Sequence, residues 1–238
     1  MSIDIFKRDL IKSTTDNKEL NTITLKITRT TARSSALHAL WITMLAGISY
    51  SCQPGYLNEK ELQVYIQDTD NGLSRKKAFK GYEVQVTYRP QDLLIAQETS
   101  GKTEVPAQEL ERLTSKYEDY YYFILSLSRD NKEALYKTGG GYDQFSDMVQ
   151  TLSFRMASHV NMTTAGQDTI EVADYVFPRA YGMGGATNLM FVFNKKEAEG
   201  DEWVQLNLKE FGLGLGNQNF RFRKEDLDEV PKIKFTGT

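Results

Sequence analysis

Apolar and polar residues alternate with a period of two over several short stretches of the chain, which predicts β-strands. In the clearest example, residues 81–89, tyrosine and valine at every second position would face a core. Further runs of this character lie at 147–156, 169–177, 188–194, 203–208 and 220–223. Short strands separated by glycine-rich turns predict a mainly β fold, an antiparallel β-sandwich or barrel-like domain.

A helical pattern with spacings of three and four stands out once after residue 60. Leu110, Leu113 and Tyr117 recur at this spacing, and Pro106 precedes them, where a helix start tolerates proline. We therefore predict one helix near 106–118. The apolar runs at 62–67 and 93–96 predict further short strands.

The first part of the chain has a different pattern. The 25 residues from Ser34 to Asn58 contain no Asp, Glu, Lys or Arg, and an apolar stretch at 36–48 lies within them. Arg29 and Arg33 precede this stretch, and small residues lead to Cys52 after it. A basic flank, a short apolar run and a small-residue cleavage site are typical of a secretory signal. A transmembrane helix needs about 20 apolar residues, which is more than this run offers.

A cysteine at the end of such a leader resembles the signal of bacterial lipoproteins, in particular those of Bacteroidota. The resemblance covers residues 29–52 and implies that Cys52 is lipidated and becomes the new N-terminus. The protein would then be anchored in the bacterial cell envelope, with the outer membrane as the expected location. The alternative is a buried amphipathic helix with an inert thiol.

These patterns divide the chain into three parts. Residues 1–51 are the predicted leader, whose true translation start is expected downstream of Met1. Residues 52–60 are the predicted lipidated cysteine and tether, and 61–238 a single β-rich domain. Residues 1–52 carry a net charge of +3 and the remainder −6, within a total of −3. An acidic body without a basic stripe disfavours nucleic acid as a partner.

Three local motifs resemble binding or catalytic sites without completing them. Gly212-Leu-Gly-Leu-Gly216 precedes a strand pattern, whereas a dinucleotide site needs a helix N-terminus, so a turn is favoured. Asp68-Thr-Asp-Asn-Gly72 lacks the closing glutamate of a calcium loop, so a hairpin turn is favoured over calcium. His159 is the only histidine after the leader and lacks a recognisable nucleophile motif. We therefore predict no catalytic residue, no cofactor and no metal site.

Aromatic residues give the strongest indication of a binding surface. Strand alternation in 120–128 places Tyr121 and Phe123 in a core and turns Tyr120 and Tyr122 to the opposite face. If that face is open, Tyr120 and Tyr122 form an exposed aromatic pair suited to a ligand, and Trp203 is a further possible ligand-binding aromatic. If it is covered, Tyr122 packs under the predicted helix. Asp168-Thr169-Ile170 resembles the O-glycosylation site of exported Bacteroidota proteins and makes Thr169 a possible glycosylation site.

Three functions remain open from these observations. The first is a non-catalytic, lipid-anchored envelope protein that binds a protein partner, as an accessory subunit of an outer-membrane assembly. The second is a β-sandwich module that binds glycans at the cell surface. The third is a hydrolase with an unrecognised site, which would be favoured if His159 lay in a cleft beside a serine or a carboxylate.

Overall fold

The computed structural model describes residues 55–137 and 141–237, so the predicted leader and Cys52 lie outside the described residues. The strands are β1 (Tyr56–Leu57), β2 (Ser74–Phe79), β3 (Tyr82–Tyr88), β4 (Glu104–Val105), β5 (Tyr120–Arg129), β6 (Lys132–Glu133), β7 (Val160–Thr164), β8 (Thr169–Glu171), β9 (Asp174–Val176), β10 (Thr187–Asn194), β11 (Trp203–Leu208), β12 (Gln218–Arg223), β13 (Lys232–Ile233) and β14 (Thr236–Gly237). The helices are α1 (Glu59–Gln67), α2 (Gln91–Glu98), α3 (Ala107–Tyr117), α4 (Tyr142–Gln150) and α5 (Lys224–Asp228).

Two antiparallel sheets form the body of the described chain. The first has the order β2-β3-β5-β10-β9, with β6 paired to β5, and the second has the order β12-β11-β7-β8. Two short parallel pairs, β1 with β13 and β4 with β14, tie the start of the described chain and the segment before α3 to the C-terminal segment. The predicted mainly antiparallel β fold is confirmed.

The hydrophobic core lies between the two sheets. Phe123 of β5 is opposite Tyr88 on β3 and Phe191 on β10, so large rings fill the centre of the first sheet. From the second sheet, Phe222 approaches Phe123 with ring centroids 5.0 Å apart. Both phenylalanines are fully buried. The buried faces of the two sheets therefore pack on each other, as in a sandwich.

Helix α3 confirms the predicted helix near 106–118, but four further helices occur among the described residues. The strands predicted at 62–67, 93–96 and 147–156 are wrong, because α1, α2 and α4 with its following π-turn occupy those positions. The start of α1 is fixed by a capping box. The Asn58 side chain accepts the N–H of Glu61 (3.0 Å), and the Glu61 carboxylate accepts the N–H of Asn58 (2.9 Å).

The described part of the predicted tether, residues 55–60, contains secondary structure. Strand β1 pairs Tyr56 with Lys232 and Leu57 with Ile233, and α1 begins at Glu59. Residues 52–54 lie outside the described residues. No described helix is long and apolar enough to cross a membrane.

Candidate functional site

The predicted ligand aromatics do not form a shared open surface. Tyr122 is only 6% exposed and packs edge-on against Tyr117 of α3, with ring centroids 5.8 Å apart. The second face of β5 is therefore covered at Tyr122, which agrees with the alternative in which Tyr122 packs under the helix and not with an exposed Tyr120–Tyr122 pair. Tyr120 is 36% exposed, and its ring centroid lies 6.5 Å from that of Tyr122. Trp203 lies in the other sheet, where the Arg221 guanidinium covers its ring at 3.8 Å from the centroid.

The glycine-rich segment 212–216 folds around a carboxylate of the chain itself. Both Gly212 and Gly214 donate their N–H groups to Oε1 of Glu210, at 2.7 and 2.8 Å, and Gly216 donates to Oε2. All three glycines have positive φ angles, which a side chain would make unfavourable. The converging amides form a nest for an anion, and Glu210 occupies it. The segment is a turn, as predicted.

His159 lies beside this turn and contacts its backbone. Its Nδ1 atom is 3.1 Å from the carbonyl oxygen of Glu210, and its ring lies 6.2 Å from that of Phe211. The neighbouring Ser158 hydroxyl donates to the carbonyl oxygen of Arg155. The His159 imidazole thus contacts a backbone carbonyl oxygen, and the neighbouring Ser158 hydroxyl is bonded elsewhere.

Residues 68–72 form a 3₁₀ turn between α1 and β2, not the expected hairpin turn, and its polar side chains bond to nearby backbone groups. The Asp68 carboxylate accepts the N–H of Asp70 (3.0 Å), and the Asn71 amide donates to the carbonyl oxygen of Tyr65 (2.9 Å). Gly72 has a φ of 77°, and a Cβ at this position would lie 2.2 Å from an Asp226 carboxylate oxygen. The described residues contain no group of three or more His, Cys, Asp or Glu side chains placed to hold a metal ion.

Thr169 begins β8 on the exposed side of that strand. It lies opposite Thr163 on β7, while the preceding Asp168 accepts a backbone hydrogen bond from Thr164 through its carbonyl oxygen. The position of Thr169 leaves its side chain accessible, and its glycosylation stays a prediction.

Four exposed apolar side chains and the half-buried Phe145 lie on α4, on the short 3₁₀ helix Ala134–Lys137 and on the loop that contains Gly182. We call this cluster the aromatic patch, and its members are Tyr136, Tyr142, Phe145, Tyr181 and Met183. The rings of Tyr136 and Phe145 are 5.4 Å apart, and a Cβ on Gly182 would lie 3.7 Å from the Tyr136 ring. Tyr142 precedes Phe145 by one helical turn. Met183 is 87% exposed, Tyr142 83% and Tyr181 65%.

A buried carboxylate holds the loop that carries Tyr181 and Met183. Oε1 of Glu133 accepts the N–H groups of Gly182 (2.8 Å) and Gly184 (3.0 Å), and Glu133 itself is almost fully buried. Tyr181 has a φ of 54°, in the left-handed region where a bulky residue is rare. Strained residues of this kind occur where a loop is fixed to present a side chain. The sequence signal that could have revealed this loop is a methionine between glycines, with a tyrosine directly before the first glycine.

A second feature is a small polar pocket of about 160 Å³ beside the C-terminal ends of β3 and β10. Tyr88, Asp92, Lys195 and Asp228 line it, together with Leu227 and neighbouring residues. Burial raises the pKa of Asp92, although the carboxylate accepts the N–H of Ile233 at 2.7 Å. Burial also lowers the pKa of Lys195 and raises that of Tyr88. Pockets with several shifted ionisable groups are candidates for binding sites.

No protein-family model matches the chain, and no curated protein sequence matches it. Among solved structures, a DUF4426 family protein from Pseudomonas aeruginosa PAO1 is similar to it at a TM-score of 0.33 and 11% sequence identity. The alignment covers 63% of this chain and 91% of that protein.

Proposed function

We propose that this chain is a lipid-anchored protein of a bacterial envelope that binds a protein partner and has no catalytic role. The observation that carries the partner-binding part is the aromatic patch. Soluble proteins seldom expose several large apolar side chains close together on their surface, and such clusters mark interaction sites. Tyrosine and methionine are also enriched in protein interfaces.

The construction of the patch supports a protein partner. The loop with Tyr181 and Met183 is held by Glu133, and the Arg179 guanidinium lies 4.7 Å from the centroid of the Tyr181 ring. Side chains held in place before binding lose little conformational entropy in the complex. Aromatic and arginine side chains are also those that contribute most to binding energy at interfaces.

Support for the anchor comes from the sequence. A stretch without charged side chains follows Arg29 and Arg33, contains the sole cysteine, Cys52, and precedes the folded domain. Diacylation with a further acyl chain would hold the protein firmly, whereas one chain gives only marginal membrane binding. A domain tied to the outer membrane in this way fits an accessory subunit of an envelope assembly.

Mass spectrometry of the native N-terminus tests the anchor. We expect the mature protein to begin at an acylated Cys52 and to contain no residue before it. A peptide that spans residues 45–60 with a free thiol at Cys52 contradicts this part of the proposal.

Site-specific photo-crosslinking tests the patch. A photoreactive amino acid at Tyr142 should give one discrete adduct with a membrane-associated protein. The adduct should disappear in a Tyr181→Ser/Met183→Ser variant and persist in a matched Tyr56→Ser/Val64→Ser variant, which also removes two exposed apolar side chains. An adduct that survives the first variant, or no adduct from a well-folded protein, overturns partner binding through the patch.

A glycan-binding module is the second candidate, because exposed tyrosine rings can stack against sugar faces. Electrophoresis through gels that contain cell-surface polysaccharides separates the two candidates. The protein hypothesis predicts unchanged migration. Retardation that Tyr142→Ala abolishes would favour the glycan-binding module instead.

A further inference from the structure

Lys195 has an unusual environment for a lysine near the surface. It follows β10 directly and extends over the Tyr121 ring, with its Nζ atom 5.3 Å from the ring centroid. Among the described residues, its ammonium group makes this ring contact and no hydrogen bond or ion pair within 4 Å. The side chain is half-buried and lines the 160 Å³ pocket.

The next residue provides a matched comparison within the same chain. The side chain of Lys196 is 71% exposed, and its Nζ atom lies 3.4 Å from a carboxylate oxygen of Asp119. Its ammonium form is therefore solvated and ion-paired. The two adjacent lysines thus occupy different environments, and of the two Lys195 lines the 160 Å³ pocket.

Several ionisable groups surround Lys195. They are Asp228 and Lys224 of α5, Asp119 and Glu118 before β5, Asp92 of α2, Lys232 of β13, and the hydroxyls of Tyr88 and Tyr121. Burial lowers the pKa of Lys195, and Lys224 adds to this effect, while Asp228, Asp119 and Glu118 oppose it. The net result is a larger fraction of neutral, nucleophilic amine than an exposed lysine has.

We propose that Lys195 forms an imine with a small neutral carbonyl compound, such as a short aldehyde, bound in the pocket beside Tyr88 and Asp228. In this reaction the nitrogen lone pair attacks the carbonyl carbon, and the carbonyl π electrons move to oxygen. Proton transfer from nitrogen to oxygen and loss of water then give the C=N bond. Water is the only by-product, and no oxidant or reductant is consumed. This inference does not depend on the lipid anchor or on the aromatic patch.

The lining of the pocket selects this class of ligand. The lining carries two acidic side chains, Asp92 and Asp228, and two basic ones, Lys195 and Lys232, so their charges balance and favour a neutral ligand over a small ion. A volume of about 160 Å³ is below the ~300–1,000 Å³ of sites for drug-sized molecules. A neutral carbonyl compound of a few heavy atoms satisfies both limits.

Reductive alkylation of the full chain tests the proposal. The protein is treated with propanal and sodium cyanoborohydride at pH 7, and peptide mass spectrometry follows alkylation at Lys195 and Lys196 separately. We expect Lys195 to react several-fold faster than Lys196. Its rate should saturate as propanal increases, because binding precedes reaction, whereas the rate at Lys196 should rise linearly.

Two variants separate a site from general reactivity. Lys195→Arg should remove the fast, saturable reaction and leave the rate at Lys196 unchanged. Asp228→Asn removes a charge that stabilises the ammonium form, so the reaction at Lys195 should accelerate. Equal rates at the two lysines, a linear dependence at Lys195, or no acceleration in a folded Asp228→Asn protein would each overturn the proposal.

Discussion

Phe123 of β5 and Phe222 of β12 meet across the middle of the sandwich, with ring centroids 5.0 Å apart. The two residues belong to different sheets, so their contact joins sheets that share no strand pairing at this point. Phe193 and Tyr88 also lie against Phe123, at centroid distances of 6.3 and 5.5 Å. Truncation of Phe123 would therefore open a cavity that several neighbours line.

Phe123→Ala should destabilise the protein by about 3–5 kcal/mol through lost transfer free energy and the residual cavity. Chemical denaturation of the variant and the parent measures the difference. Phe154→Ala is a matched control, because Phe154 is exposed and its removal should change stability little. If the Phe123→Ala protein unfolds at the same denaturant concentration as the parent, Phe123 does not pack between the two sheets as described.

Tyr122→Ala distinguishes a structural aromatic from a binding one. Because Tyr122 is packed against Tyr117 of α3, we expect a stability loss on the order of 3 kcal/mol. Crosslinking through the aromatic patch should be unchanged in the fraction of protein that stays folded. If the variant keeps its stability but loses partner binding, the binding surface lies at α3 and β5 and not at the aromatic patch.

The sequence predicts strands well where one face is buried and the other is not. β10 alternates between buried and more accessible positions along its length, and β3 does so over residues 82–86; this period of two was visible in the sequence. The prediction fails at α2. Residues 92–96 are all buried there, so the sequence shows neither the period of two of a strand nor the period of 3.6 of a helix. At α1, the capping box of Asn58 and Glu61 was the available signal and outweighs a strand-like composition.

Contacts between distant segments were beyond the reach of sequence patterns. The strand predicted over 169–177 is in fact two strands, since β8 pairs with β7 in one sheet and β9 with β10 in the other. The aromatic patch likewise depends on Glu133, which is about 50 residues from the glycines that it holds. Strand alternation predicts the face of the sheet on which a side chain lies, but not which distant segment packs against it. Neither the aromatic patch nor the Lys195 pocket could therefore be predicted from the sequence.

His159→Ala should leave partner binding intact, because the imidazole contacts the carbonyl oxygen of Glu210 and the ring of Phe211. The crosslinking assay at Tyr142 measures this directly. Removal of a true general base typically lowers a rate by about 10²–10⁴-fold. If the wild-type protein hydrolyses an ester or peptide substrate and a folded His159→Ala variant loses activity by that factor, the hydrolase alternative becomes the better explanation.

The Glu210 carboxylate should make stability depend on pH in the acid range. Burial raises its pKa, but the N–H groups of Gly214, Gly212 and Gly216 lower it by more, so the folded-state pKa lies below the ordinary value of 4.5. A carboxylate of this kind contributes stability that is fully present above its unfolded-state pKa. The contribution is lost as the pH falls through the lower folded-state pKa.

Glu210→Gln replaces the acceptor of three backbone N–H groups with a neutral amide, so the variant should be less stable than the parent at pH 7. The difference should shrink below pH 4.5, because protonation removes the same charge from the parent. Urea denaturation across this pH range measures both quantities, and the exposed Glu111→Gln provides a control that should follow the parent. Parallel stability curves for Glu210→Gln and the parent would show that the glycine turn does not depend on this charge.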